Sequence, residues 1–186
     1  MSTPHTVVRA STLSPCITII GMAGAGKSTV GKTLAHHLNW AFVDTDHIIE
    51  ATYATKLQNV ADSLSKDEFL DAEASIVQSC YFNRTVIATG GSVVYREKTM
   101  EHLARLGICV YLKVDLDLIL ERIAKNPERG LAIAPGQTIE DLFHERELLY
   151  QKYANIVLDA KTMTPKDCVL TLMDLFPKDF LQYFKN

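Results

Sequence analysis

The sequence predicts an α/β fold in which five parallel strands form a sheet flanked by helices. Short apolar runs alternate with helix-length segments along 186 residues, of which 47% are hydrophobic; this alternation is typical of βαβ units with a sheet buried on both faces. A glycine-rich stretch, GMAGAGKSTV (Gly21 to Val30), follows the first apolar run. The length suits one core better than two, so we expect a single domain.

The individual elements follow from local patterns. Strands are predicted at the apolar runs 16–20, 41–45, 85–90, 108–114 and 155–159. Helical patterns cover residues 27–38, the sixties and seventies to about 81, and then 116–125, 138–153 and 165–175. We find no internal repeat and no low-complexity linker that would divide the chain.

Two segments fall outside this alternation. Residues 126–137, NPERGLAIAPGQ, carry two prolines and two glycines between helices, a composition typical of a mobile loop. In a protein that handles phosphate, such a loop is a candidate lid. Residues 1–15 are polar and lack the apolar stretch of a secretory signal, so we expect a flexible tail before a domain that covers 16–186.

The composition favours a small-molecule partner. A net charge of −3 and a pI near 6.1 provide no basic field for a nucleic-acid backbone, so we expect no nucleic-acid partner. No apolar run could span a bilayer, so we expect a cytoplasmic protein without a membrane partner. We also expect a monomer. The cysteines Cys16, Cys80, Cys109 and Cys168 form no C-x-x-C pair, which predicts reduced, mostly buried thiols.

The glycine-rich stretch matches the phosphate-loop pattern G-x-x-x-x-G-K-S. It follows a predicted strand and opens a predicted helix, which is the context that this motif requires. Backbone N–H groups of such a loop converge on phosphate oxygens at a helix N-terminus. Lys27 is expected to neutralise the β and γ phosphates, and the Ser28 hydroxyl to bind Mg²⁺. The predicted nucleotide-binding residues of the loop are Gly21, Gly24, Ala25, Gly26, Lys27, Ser28 and Thr29.

Polar residues and glycines follow the second and third predicted strands. Asp44 and Asp46 end the second strand, and ligands of open α/β sheets bind at strand ends. Asp44 suits a Mg²⁺-bound water and Asp46 an acceptor hydroxyl, although Asp46 could instead be the N-cap of a helix HIIEATYA. Gly90 and Gly91 follow the third strand and permit close approach of a ligand to the backbone.

Together these motifs resemble the shikimate kinase family, from about Cys16 to about Asp159. The matching stretches are GMAGAGKSTVGKTLA, DTD after the second strand, ATGGSVV after the third, the arginine of the predicted lid, and ERELLYQKYA. The resemblance implies an ATP-dependent small-molecule kinase of amino-acid biosynthesis. It also implies a fold like that of the P-loop nucleoside monophosphate kinases, closed by a mobile lid.

The resemblance also implies roles for single residues. Asp44 would support the Mg²⁺ shell, and Asp46 would bind the acceptor hydroxyl. Lid residue Arg129 would reach the phosphates, which makes Lys27, Asp46 and Arg129 the expected catalytic residues. Arg122 resembles the arginine that lies against adenine, unless it is an ordinary exposed residue of a charged helix. The expected acceptor-binding positions are Asp46, Leu70, Gly90, Gly91 and Arg146.

The sequence departs from the family pattern mainly in the acceptor half. The family has Phe-Arg-x-x-Glu after the second strand, where the arginine pairs with the shikimate carboxylate; here EFLDAE places Leu70 at that arginine, with Asp71 beside it. Ser92 replaces a third glycine, and the lid reads RGLA (129–132). Loss of a charge-assisted contact in a closed site costs on the order of 2 to 4 kcal/mol, about 30- to 1000-fold in affinity.

This charge balance predicts a zwitterionic acceptor. The carboxylate of a hydroxy amino acid such as homoserine would pair with Arg146, and its ammonium would find Asp46 or Asp71. Shikimate is the alternative acceptor if Arg84 or Arg96 replaces the missing arginine.

A non-catalytic nucleotide-binding regulatory domain is a further alternative, although the retained Lys27, Ser28, Asp44 and Arg129 argue against it. A GTPase would need an N-K-x-D motif, which is absent. A nucleoside monophosphate kinase would need acceptor arginines where this chain has Leu70.

Overall fold

Five parallel strands form one sheet in the computed structural model, which describes residues 15–125, 131, 133–134 and 136–182. The strands are β1 Cys16–Ile20, β2 Ala41–Asp44, β3 Thr85–Ala88, β4 Gly107–Lys113 and β5 Ile156–Asp159. Their spatial order is β2-β3-β1-β4-β5, with every pairing parallel. The predicted five-stranded parallel sheet is confirmed, with strand ends within two residues of the prediction.

Helices cover both faces of the sheet. They are α1 Lys27–Leu38, α2 Thr45–Tyr53, α3 Leu57–Ser63, α4 Lys66–Ser79, α5 Glu97–Leu106, α6 Leu116–Lys125, α7 Ile139–Tyr153, α8 Pro165–Leu175 and α9 Lys178–Leu181, with a 3₁₀ turn at Val93–Tyr95. The prediction of one helix through the sixties and seventies was wrong. The Ser65 hydroxyl accepts a hydrogen bond from the backbone N–H of Glu68, and this capping box starts α4 as a separate helix.

The order of the strands creates a binding crevice at one edge of the sheet. β1 lies at the centre, with β3 as its neighbour on one side and β4 on the other. Ile19 of β1 stands opposite Ala88 of β3 and Val110 of β4. The loops that follow β1 and β3 therefore leave the same edge side by side, where open α/β sheets bind their ligands.

Two hydrophobic clusters hold these elements. The larger one surrounds the sheet, and every residue of β1 and of β3 is buried, as expected for strands covered on both faces. The smaller one joins α2, α3 and α4 through Ile49, Val60, Phe69 and Leu70. In the described part of the chain, no helix is long and apolar enough to cross a membrane.

Two predicted segments fall largely outside the described residues. The expected tail over 1–15 is described only at position 15. Of the expected lid over 126–137, residues 126–130, 132 and 135 lie outside the description, and these include Arg129 and its proposed role.

Candidate functional site

A cavity of about 610 Å³ opens at the carboxyl edge of the sheet. Twelve of the residues predicted for the site line it: Gly24, Ala25, Gly26, Lys27, Ser28, Thr29, Asp44, Asp46, Gly90, Gly91, Arg122 and Arg146. Gly21 and Leu70 are not part of its wall. The structure thus brings the predicted nucleotide and acceptor residues together around a single cavity, although they come from five separate segments of the chain.

The phosphate loop has the backbone that its glycines permit. Gly24 and Gly26 have φ of 83° and 99°, and the left-handed Gly26 precedes the first residue of α1. The Lys27 ammonium donates to the carbonyl oxygens of Gly21 and Met22, both at 2.8 Å. Lys27 therefore lies folded against its own loop, on the wall of the cavity where phosphates would bind.

Ser28 and Asp44 present adjacent oxygen atoms to the cavity. The Ser28 hydroxyl donates to Asp44 Oδ2 at 2.6 Å, and Asp44 Oδ1 accepts from the backbone N–H of Asp46 at 3.1 Å. A hydroxyl beside a carboxylate is a donor set that fits Mg²⁺, which takes one or two protein oxygens together with phosphates and waters. Asp44, and not Asp46, is the N-cap of α2, so the N-cap alternative for Asp46 was wrong.

Arg122 braces the phosphate loop from α6. Its Nη1 donates to the carbonyl oxygens of Gly24 at 2.9 Å and Ala25 at 3.2 Å. The side chain is half-buried and lines the cavity, so the alternative of an ordinary exposed arginine is wrong. Its stacking against adenine stays a prediction.

Gly90 and Gly91 form the acceptor junction, the region where Asp46, Glu73 and Arg146 approach the phosphate loop. A Cβ atom at Gly90 would lie 2.3 Å from Glu73 Oε1 and 2.8 Å from Asp46 Oδ1. At Gly91 a Cβ atom would lie 3.0 Å from an Arg146 nitrogen and 3.3 Å from the backbone nitrogen of Ala23. These glycines therefore let two carboxylates and a guanidinium approach the phosphate loop closely.

Arg146 is held in this junction by two tyrosines. Its side chain is 1% exposed, with Nε donating to the Tyr95 hydroxyl at 3.3 Å and the guanidinium 5.2 Å from the centre of the Tyr95 ring. One turn along α7, the Tyr150 hydroxyl donates to the carbonyl of Gly91 at 2.7 Å. A buried cation fixed at the cavity wall can pair with a carboxylate of a bound molecule.

The structure places Leu70 in the smaller hydrophobic cluster, where it is 3% exposed. Asp71, one of the expected ammonium partners, faces outward and accepts a 2.7 Å hydrogen bond from Arg96. Arg96 also pairs with Asp67 and does not line the cavity. Arg84 precedes β3, at the opposite edge of the sheet from the site. The expected roles of Asp71, Arg84 and Arg96 in the acceptor site were therefore wrong.

Sequence reasoning missed Glu73, which lies beside Asp46 at the acceptor end. Glu73 is 2% exposed; its Oε2 accepts from the Ser92 hydroxyl at 2.7 Å, and its Oε1 has no hydrogen-bond partner. Burial raises the pKa of Glu73 to about 7, while the hydrogen bond from Ser92 opposes this shift. Two signals were available: Glu73 is the glutamate of the family pattern Phe-Arg-x-x-Glu, and it lies on the buried face of α4 with Phe69 and Val77 at helical spacing.

The buried surroundings of Asp46 at the acceptor junction also raise the pKa of its carboxyl group. Burial and then the charge of Asp44 raise its pKa to about 6, against the opposing effect of Lys27. At neutral pH the carboxylate is ionised and more basic than an ordinary aspartate. Such a group, facing a cavity that contains a phosphate loop, can accept a proton from a hydroxyl group.

Comparisons with known proteins agree with this geometry. The family model described as shikimate kinase matches residues 23–176. A shikimate kinase of Psychrobacter sp. (strain PRwf-1) is 32% identical over 175 residues, covering 92% of this chain and 97% of that protein. The solved shikimate kinase from Acinetobacter baumannii, in complex with shikimate, superposes with a TM-score of 0.79 at 29% identity, covering 87% of this chain and 92% of that one.

A more distant solved structure bears on the fold alone. Thymidylate kinase from Candida albicans has a TM-score of 0.58 at 12% identity, covering 92% of this chain and 94% of that chain. The predicted likeness to nucleoside monophosphate kinases is thus confirmed for the fold. The family match covers well over half of the sequence, and the two shikimate kinases described above match along more than nine tenths of their own length. The chain therefore belongs to the shikimate kinase family, a family of ATP-dependent small-molecule kinases.

Proposed function

We propose that this protein transfers the γ-phosphoryl group of ATP to the hydroxyl of a small acceptor that carries a carboxylate. The observation that carries the proposal is the convergence of Lys27, Asp46 and Arg146 on one cavity. Lys27 provides charge for the phosphates, Asp46 a proton acceptor and Arg146 a carboxylate partner. Membership of the shikimate kinase family supports the same chemistry.

The chain's residues account for the steps of this reaction. The phosphate loop binds the nucleotide, and Lys27 exchanges its carbonyl partners for phosphate oxygens. The acceptor oxygen forms a bond to the γ phosphorus while the bond from this phosphorus to the β–γ bridging oxygen breaks, which releases ADP. The hydroxyl proton passes to Asp46, whose carboxylate lies on the cavity wall beside Gly90. Positioning and charge stabilisation supply most of the catalysis.

Ser28 and Asp44 would hold Mg²⁺ on the nucleotide side of the site. A bound Mg²⁺ neutralises charge on the β and γ phosphates. Arg129, in the predicted lid, remains a proposed phosphate ligand. Arg122 remains the proposed adenine neighbour, and its contacts with Gly24 and Ala25 keep the loop in its binding shape.

Shikimate is the first acceptor to test, because the relatives are named shikimate kinases and one of them was solved with shikimate. The comparisons do not support the expectation of homoserine. One structural observation nevertheless makes a hydroxy amino acid the second candidate. Leu70 occupies the place of the family's arginine, and within the described residues neither Arg84 nor Arg96 reaches the cavity wall.

A coupled assay of ADP release with MgATP and a panel of shikimate, homoserine, gluconate and pantothenate tests the proposal. We expect turnover with shikimate or homoserine, and loss of that turnover in Arg146→Ala because both acceptors present a carboxylate. Turnover with gluconate alone would mean that Arg146 does not bind a carboxylate as proposed. Nucleotide binding without turnover of any acceptor would favour a regulatory domain instead.

A further inference from the structure

Lys56 is a cation on the cavity wall that the proposed mechanism does not use. Its side chain is exposed and lines the cavity, and its ammonium group has no hydrogen bond or ion pair with any described residue. The other lysines and arginines of the described wall have contacts within the protein. Lys27 and Arg122 bind carbonyls of the phosphate loop, and Arg146 donates to Tyr95. Lys56 is therefore available for a ligand.

The position of Lys56 is locally unfavourable for a lysine. It is the N-cap of α3, with φ of −66° and ψ of 146°, and makes no side-chain capping bond. Ser, Thr, Asp and Asn cap helices well, and a positive charge at a helix N-terminus opposes the helix dipole. Helices α4, α7 and α8 all begin with a capping box. A residue that breaks a rule kept by other helices of the same fold is expected at a functional position.

The turn before α3 holds Lys56 at the acceptor end of the cavity. Glu50 Oε1 accepts a hydrogen bond from the backbone N–H of Leu57 at 3.0 Å, which ties the start of α3 to α2. Leu57 packs against the smaller hydrophobic cluster, which contains Phe69 and Leu70. Leu57 and Phe69 also line the cavity. Lys56 therefore lies beside the part of the wall that is backed by the cluster of Leu70.

Two cations with different properties thus line the cavity on the acceptor side. Arg146 is buried and fixed by its neighbours, whereas Lys56 carries a point charge on a flexible stem that can follow a ligand. Of the carboxylates on this part of the wall, Glu50 already accepts a hydrogen bond from α3, and Asp46 is assigned to the acceptor hydroxyl. Lys56 would attract an anionic oxygen of the acceptor and repel an ammonium group on it.

We propose that Lys56 is the second cation of the acceptor site, so that the acceptor is a small hydroxylated carboxylate without an ammonium group. Its carboxylate would lie between Arg146 and Lys56, and its hydroxyl would face Asp46. Lys56 would then provide the charge that Leu70 lacks, from a different helix. This inference rests on the proposed function, since it assigns the acceptor class of the same site. It favours shikimate over a hydroxy amino acid.

Two replacements of Lys56 test the inference. Lys56→Gln removes the charge and keeps most of the length, and Lys56→Ser removes the charge and provides a hydroxyl that can cap α3. Shikimate binding is measured by isothermal titration calorimetry on the full chain loaded with Mg²⁺ and a non-hydrolysable ATP analogue. We expect both variants to bind shikimate about tenfold more weakly, the loss typical of one charge-assisted contact in a partly open site.

Two further readouts separate binding from a structural effect. Lys56→Ser should raise the melting temperature by about 2 to 4 °C, because a serine N-cap stabilises the start of α3. Loss of shikimate affinity in a more stable protein cannot come from unfolding. In steady-state kinetics the acceptor KM should rise about tenfold, while kcat and the KM of ATP should change by less than about threefold, because Lys56 contacts neither the phosphates nor the reacting hydroxyl.

Lys66→Gln is the matched control. Lys66 is the first residue of α4, but its ammonium lies 5.1 Å from the centre of the Tyr95 ring and does not line the cavity. The control should keep the shikimate affinity of the parent to within about threefold, as expected for a surface charge. Added salt should weaken shikimate binding more in the parent than in Lys56→Gln, since the contact made by an exposed lysine is screened.

The outcomes separate the inference from the proposed function. Unchanged shikimate affinity in both Lys56 variants overturns the inference, and so does an equal loss in Lys66→Gln, which would be a general effect of charge. Turnover of homoserine without binding of shikimate also overturns it, and leaves the proposed phosphotransferase function standing. Binding of shikimate that depends on Lys56, without turnover of any acceptor, upholds the inference and refutes the proposed function.

Discussion

Replacement of Lys27 should greatly reduce catalysis while leaving the fold nearly as stable as in the parent protein. Its ammonium contacts two loop carbonyls at the wall of an open cavity, and water can take over those contacts. We expect Lys27→Ala to lower kcat at least about 100-fold, because charge on the transferred group is no longer neutralised. The melting temperature should change by only a few degrees.

Steady-state kinetics and thermal unfolding check this prediction. Lys32→Ala is a suitable control, because Lys32 is an exposed lysine of the same helix whose ammonium lies over the Phe42 ring. Turnover of Lys27→Ala within tenfold of the parent would refute the assignment of the phosphate loop.

Glu73 should make the free protein less stable as the pH rises. Burial raises its pKa to about 7, from an ordinary value near 4.5 that also applies to the unfolded chain. Between these two values the folded state binds more protons than the unfolded state, so the free energy of unfolding falls with increasing pH. Glu73→Gln should therefore be more stable than the parent at pH 8, by about 1 to 3 kcal/mol.

Denaturant unfolding at pH 8 and at pH 5 measures this effect. The advantage of Glu73→Gln should shrink at pH 5, where the parent carboxyl is protonated in the folded state. Asp71→Asn, which changes an exposed carboxylate on the same helix, should show no comparable gain. An equal difference between Glu73→Gln and the parent at both pH values would contradict the shifted pKa.

Residues that can be identified from the sequence belong to motifs of neighbouring positions. Residues that cannot be identified in this way depend on contacts between segments far apart in the chain. Ser28 and Lys27 belong to a motif whose spacing alone fixes the loop geometry. Glu73 acquires its environment only when α4 packs against the turn that contains Gly90 and Ser92. The family pattern predicted that Leu70 occupies an acceptor-site position. Its burial in a separate apolar cluster could not be predicted in this way, because that cluster also requires α2 and α3.

At the scale of elements, local patterns sufficed for the strands but not for every helix. The apolar runs mark all five described strands, although only β1 and β3 are buried throughout and the edge strands β2 and β5 are partly exposed. Helix α5 was not predicted, and its N-cap, Arg96, makes no side-chain capping bond that could have signalled its start. The strand order was also beyond local patterns, since it depends on pairing between segments that are far apart in the chain.

Helix α7 positions the acceptor junction through Tyr150. Its hydroxyl is the donor to the carbonyl of the half-buried Gly91, at 2.7 Å, and that residue separates Arg146 from the phosphate loop. Tyr150→Phe removes this hydrogen bond, so we expect a loss of about 0.5 to 1.5 kcal/mol in stability. We also expect the KM of the acceptor to rise more than that of ATP, because the glycine pair contacts the acceptor side.

Chemical denaturation and steady-state kinetics with both substrates varied test this role. Tyr153→Phe is the matched control on the same helix, since its hydroxyl only accepts a 3.3 Å hydrogen bond from the neighbouring Lys152. An unchanged acceptor KM in Tyr150→Phe would show that α7 does not position the junction through this hydrogen bond.

At the scale of the whole molecule, the two halves of the site are built differently. The nucleotide half comes mainly from one continuous stretch between β1 and α1, braced by Asp44 and Arg122. The acceptor half is assembled from α2, α4, the turn after β3, and α7. Replacement of one acceptor residue therefore leaves the nucleotide half intact, which allows related kinases to share nucleotide chemistry and differ in their acceptors.

Binding of nucleotide should stabilise the whole fold in a Mg²⁺-dependent manner. A ligand at about 100 times its Kd adds about 2.7 kcal/mol to the free energy of unfolding, which corresponds to about 5 to 10 °C for a chain of this length. The Ser28 hydroxyl and the Asp44 carboxylate lie 2.6 Å apart at the phosphate end of the cavity, and we expect them to be the protein side of the Mg²⁺ site.

Thermal unfolding with ATP, with and without Mg²⁺, measures this linkage independently of the acceptor. The parent should show a large shift with MgATP and a much smaller one with ATP and EDTA. Ser28→Ala should lose most of the Mg²⁺-dependent part, while Thr33→Ala, which removes a hydroxyl that bonds only within α1, should keep it. Equal shifts in the parent with and without the metal would mean that Ser28 and Asp44 serve only to join the phosphate loop to β2.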